Sequence, residues 1–136
     1  MANQHHLDVL ERGVDFWNQW RRDNTIVLPD LRGANLNGRN FSEANFMMTD
    51  FRRAKLKGTN FQRASLLGAN LGEANLSRAN LSYGNLESTK FNNANLSHSN
   101  LENSKANGAD LFKALLNMAS LCNASFVGAD FSNASL

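Results

Sequence analysis

Charge is scarce in this chain of 136 residues: only 19% are Asp, Glu, Lys or Arg, and neutral Asn and Ser stand where such side chains usually cover a surface. The formal balance of +2 is too small to point to nucleic acid as a partner. Cysteine is nearly absent. The single Cys122 excludes an internal disulfide framework and a thiolate metal cluster, and fits a reducing compartment. Long apolar runs are missing too: stretches such as Ile26-Val27-Leu28 fall far short of the ~20 residues a membrane helix needs. No signal-like segment opens the chain. These absences lead to the expectation of one soluble, cytoplasmic domain without membrane contact.

What the chain does have is a repeat. Every fifth residue from Leu31 to Leu136 gives 22 positions, of which 14 are Leu, seven are Phe and one is Ala106. Two residues before each of these centres stands a small side chain, Ala at 14 of 21 sites, with Arg39 as the one large exception. The residue just before the centre is Asn or Asp at 14 of 22 sites. A helix advances about 100° per residue, so a five-residue repeat would smear the Leu and Phe around every side. In extended backbone, residues two apart share a face, which turns the small residue and the centre inward and the Asn outward. A corner must then reset the alternation every five residues. Gly33, Gly38, Gly58, Gly68, Gly108 and Gly128, with Asn93, Asn103, Asn123 and Asn133, lie two after a centre and suit the positive-φ site of a turn. Every twentieth residue repeats most closely: positions 36, 56, 76, 96, 116 and 136 are all Leu, so four pentapeptides make one coil.

This A-[N/D]-[L/F]-x-x pattern, unbroken over residues 29–136, resembles the pentapeptide-repeat family. The resemblance implies an all-β solenoid, a right-handed quadrilateral parallel β-helix of about five coils. Residues 1–24 read as an N-terminal α-helical cap and residues 25–136 as the β-helix, together one domain. Leu7, Leu10, Val14 and Trp17 fall on one stripe of a single amphipathic helix that would cover the first coil. Arg39, in an inward position, is expected to pair with Asp8, Glu11 or Asp15 of that helix.

Chemistry finds no constellation. His5 and His6 lie near the terminus and His98 on a corner, Cys122 points outward with no histidine in its column, and the carboxylates are scattered. No catalytic residue, cofactor or metal is expected. The outward positions carry two departures from the neutral pattern: a basic cluster of Arg32, Arg52, Arg53, Lys55 and Lys57, and an apolar trio of Phe112, Leu115 and Met118. Met47, Met48, Leu67 and Val127 are further apolar outward residues. The basic cluster reads as a solvated face, since no aromatic interleaves with it; the trio reads as a contact surface.

The expected function is a noncatalytic protein–protein interaction scaffold whose partner is an unidentified protein. The family resemblance implies an alternative, a duplex-DNA mimic acting on a type II topoisomerase, but residues 30–136 hold eleven Lys and Arg against eight Asp and Glu, a net of +3 where mimicry needs an acidic surface. An enzyme or small-ligand binder is the third reading, and a Leu/Phe-filled interior runs against it. The final coil, with centres Leu121, Phe126, Phe131 and Leu136, is expected to stay uncovered and to associate end to end with a second copy.

Overall fold

Gly13 decides how the chain begins. In the computed structural model, which describes all 136 residues, it takes φ of +99°, a value a helix does not accommodate. The single helix expected over residues 1–24 is therefore two: α1, Gln4–Glu11, capped by the Asn3 side chain accepting from the His6 N–H, and α2, Val14–Asp23. The break also changes which residues face inward. His6, Val9 and Leu10 of α1 and Trp17 and Arg21 of α2 are buried, while Leu7, Val14 and Trp20 are only partly so. Phe16 lies exposed under the Arg12 guanidinium, 3.7 Å from the ring centre.

From Asp30 onward the backbone makes parallel bridges, every one joining residues 20 apart, as in the ladder Asp30–Asp50–Asn70–Lys90–Asp110–Asp130. Four such ladders run the length of the rod. The bonding within one repeat accounts for all five of its N–H groups. Leu71 donates to the Lys90 carbonyl of the next coil (2.7 Å), Gly72 to the Asn70 side chain (3.0 Å), and Glu73 to Asn92 of the next coil (3.0 Å). Ala74 then closes the turn onto Leu71 (3.1 Å) and Asn75 reaches back to Ala54 (3.0 Å). Since a buried donor without a partner is costly, this closed pattern explains the composition. The residue before the centre is Asn or Asp because its Oδ1 accepts from the N–H two residues on, a local bond these short side chains make well. All 14 Asn and Asp at that position do so, from Asp30 to Asp130. Where Lys55 or Ser125 takes the place, the orphaned N–H of Lys57 or Val127 bonds instead to Asn37 or Asn107 of the coil before.

Centres and small residues fill the rod as one core, and the register passes undisturbed through Ala106, whose N–H meets the Ser125 carbonyl at 2.7 Å. Aromatics gather at the end next to the helices, where Trp17 packs on Phe46 with ring centres 5.4 Å apart, and Phe46 on Phe51 at 5.0 Å. The helices also replace the hydrogen bonds a preceding coil would make. Asp30 donates to His6 Nδ1 (2.9 Å) and accepts from Asn3 N–H (2.9 Å). Asn45 donates to Asn18 Oδ1 and accepts from Trp17 Nε1, both at 2.8 Å, and Arg21 donates to the carbonyls of Val27 and Met47. Arg39 does pair with Glu11, at 2.8 Å, but from the surface: its side chain turns outward, away from the inward position the register suggested.

Candidate interaction surface

The ladder Asn35–Lys55–Asn75–Asn95–Leu115–Ser135 forms one flat side of the rod. Along one of its edges run the corners that begin Arg32-Gly33, Arg52-Arg53 and Gly72-Glu73 and continue to Phe112-Lys113. Along the other run Lys57-Gly58, Ser77-Arg78, Ser97-His98 and Asn117-Met118. The basic cluster and the apolar trio, separate in sequence, therefore share one side: Lys55 and Leu115 stand on the same ladder, three rungs apart. Successive rungs are about 4.8 Å apart, which puts about 14 Å between them.

The five clustered cations are not equivalent. Arg32 binds the Asp30 carboxylate at 2.8 Å and lies 3.8 Å from Asp50, Arg52 binds Asp50 at 2.6 Å, and Arg53 binds Glu73 at 3.0 Å. The bond from Arg32 holds the Asp30 carboxyl below the usual carboxylate range, and Asp30 raises Arg32 in turn. Burial opposes ionisation of Asp50, yet the bonds from Arg52 outweigh it and leave that carboxyl low as well. The cluster thus divides into three arginines that each face a carboxylate and two lysines that do not. Lys55 and Lys57 have no acidic partner. Arg78, one coil on from Gly58 in the same corner column and without an acidic partner, continues the uncompensated edge beyond the five clustered cations.

At the other end of the side Leu115 is 44% and Met118 79% exposed, whereas Phe112 is half-buried with Lys113 Nζ 5.2 Å from its ring centre. On a different corner Met48 lies over Gly68, and Met47 and Val127 are exposed. Two shallow depressions, of about 240 and 420 Å³, border Arg32 and Arg52. No three of His, Cys, Asp and Glu converge, and no helix is long and apolar enough to cross a membrane.

Residues 30–68, 54–93, 69–105, 85–117 and 107–136 match the family model for pentapeptide repeats, in eight copies. Among solved structures, a pentapeptide repeat protein of the Arabidopsis thaliana thylakoid lumen, AT2G44920, shares 33% identity over 74% of this chain, with a TM-score of 0.55. Rfr23 from the cyanobacterium Cyanothece 51142 shares 27% identity over 87% of the chain (TM-score 0.58), and alr5209 from Nostoc PCC 7120 shares 39% over 57% (TM-score 0.56). The matches span 63% of the thylakoid protein, 96% of Rfr23 and 64% of alr5209. Among curated proteins none matches.

Proposed function

This chain belongs to the pentapeptide-repeat family, whose members form right-handed quadrilateral β-helices, and from that membership we propose that it is a noncatalytic scaffold, a rigid rod that binds a protein partner through one of its sides. The observation that carries the reading is the side bearing the Leu115 ladder, where large apolar residues point outward on a backbone fixed by closed hydrogen bonding. In this reading residues 1–24 act as a cap and residues 25–136 as about five coils of one structural unit. Retention of protein from the native lysate on the immobilised chain, compared with a Leu115→Asp/Met118→Asp variant of unchanged circular dichroism, tests it. The expected result is a band lost from the variant; retention that no surface substitution alters would overturn it.

We extend the proposal to a second copy of the chain. The centres Leu121, Phe126 and Phe131 are partly exposed where Leu101 and Leu111 are fully buried, and they present an apolar floor suited to face-to-face pairing. Sedimentation at rising concentration is expected to show a dimer that Phe131→Asp abolishes. A monomer up to high micromolar concentration would contradict the pairing.

A further inference from the structure

The scaffold reading leaves the partner's chemistry open, and the layout of the Lys55–Leu115 side supplies it; the inference rests on that reading. Between its two corner edges this side carries one carboxylate, Glu73, and Arg53 occupies it. Lys55, Lys57 and Arg78 are exposed and unpaired at one end. Phe112, Leu115 and Met118 stand at the other. In between, Asn75 and Asn95 have their Oδ1 atoms turned onto the N–H groups of Ser77 and Ser97, so the amide groups left to face outward are donors. The whole side therefore offers a cluster of positive charge, then hydrogen-bond donors, then an apolar surface flanked by one further exposed cation, Lys113.

We propose that this side binds a short protein segment that is acidic at one end and apolar at the other, with its carboxylates over Lys55, Lys57 and Arg78 and its apolar side chains over Leu115 and Met118. The separation of about 14 Å corresponds to four or five residues of extended chain or about nine of helix. Duplex nucleic acid fits poorly. Its phosphates would use only the basic half and leave Leu115 and Met118 against a charged backbone, and no aromatic residue interleaves with the cations. Exposed charge pairs steer and orient more than they hold, so the acidic half sets register and salt dependence while the apolar half slows dissociation.

The test is selection of random 16-residue displayed peptides on the whole chain, followed by titration of the enriched peptides. Peptides with an acidic cluster and an apolar cluster at opposite ends are expected. They should bind at least about tenfold more weakly to Lys55→Glu/Lys57→Glu/Arg78→Glu and to Leu115→Ser/Met118→Ser, and more weakly at 500 mM than at 50 mM salt for the wild type. All five positions are exposed, and a milder Lys55→Gln/Lys57→Gln variant should give a smaller loss in the same direction. Peptides without acids, binding that neither set of substitutions changes, no enrichment, or a 20-base-pair DNA duplex that binds more tightly than the peptides would each overturn the inference. Enriched peptides that map to another side would do so while leaving the scaffold reading standing.

Discussion

A side chain at φ near +60° crowds its own carbonyl, at a cost of about 1–2 kcal/mol. Fifteen non-glycine residues accept that conformation here, among them Met48, Tyr83, Ser88 and Lys113, alongside the six corner glycines. The glycines and asparagines mark the corner in the sequence; the others give no sign of it, because what holds all of them but Met118 is the bond from their N–H to the next coil, as from Ser88 to the Asn107 carbonyl at 3.0 Å. Ser88→Gly removes the strain and adds freedom to the unfolded chain worth about 0.5–1 kcal/mol, so a net gain of about 0.5–1 kcal/mol, a rise in melting temperature, is expected. The inward threonines make a sharper comparison. Thr89 Oγ1 donates to the Leu66 carbonyl at 2.8 Å, but Thr49 Oγ1 is buried with no partner. Thr89→Val is expected to cost about 1 kcal/mol by denaturant unfolding and Thr49→Val to cost nothing or stabilise. Equal losses at the two sites would show that shape, and not the hydroxyl, decides.

Among the elements, the five-residue repeat of the coils was legible in the sequence, though not every corner, and the helices only half so. Five-residue spacing admits one backbone solution, whereas the apolar stripe from Leu7 to Trp17 fits one helix as well as two, and only the positive φ of Gly13 separates them. Periodicity is equally blind to the polar anchors: His6 and Arg21 look like surface residues, yet they bond the first coil where another coil would. His6 Nδ1 can accept from Asp30 only while unprotonated. Burial lowers the pKa of His6 first of all, and neighbouring His5 and Arg21 push the same way against the opposing Asp30 carboxylate. With the folded value below the unfolded one of about 6.5, the unfolded chain binds the extra proton first. The anchoring of α1 is therefore complete above about pH 6.5 and lost as pH falls through the lower folded value. Thermal melts from pH 8 to 5 should show this decline in the wild type and a flatter one in His6→Asn, whose Oδ1 accepts at either pH. Identical slopes would place the acid sensitivity elsewhere. Arg39→Ala, which removes a solvent-exposed pair with Glu11, should change stability by less than about 1 kcal/mol.

For the molecule as a whole, the coil length of 20 was readable because the columns repeat, and that same arithmetic puts Lys55 under Leu115. It also stacks Glu73 on Arg53, 20 residues apart; what it could not supply was the pairing of Arg32 with Asp30 and of Arg52 with Asp50, since those contacts depend on a side chain folding back two residues along the chain. The coil length has one more consequence, for how such a protein changes over generations. Core and surface obey different counting rules: the interior needs only multiples of five, but the alignment of outward residues needs multiples of 20. Loss of residues 82–86 would join Leu81 to Glu87 in frame, keep every centre inside, and rotate all that follows by a quarter-turn, so that Leu115 comes to stand over Asn70. Loss of residues 82–101 would restore the alignment and bring Leu115 two rungs from Lys55. Both shortened chains are expected to melt cooperatively, and the second alone to keep the surface-dependent binding of the parent, with a shorter optimal peptide. Binding that survives the five-residue loss would disconnect recognition from the shared side. Small insertions and deletions thus act on this architecture as a dial, rewriting which residues are neighbours on the outside without disturbing what holds the inside together.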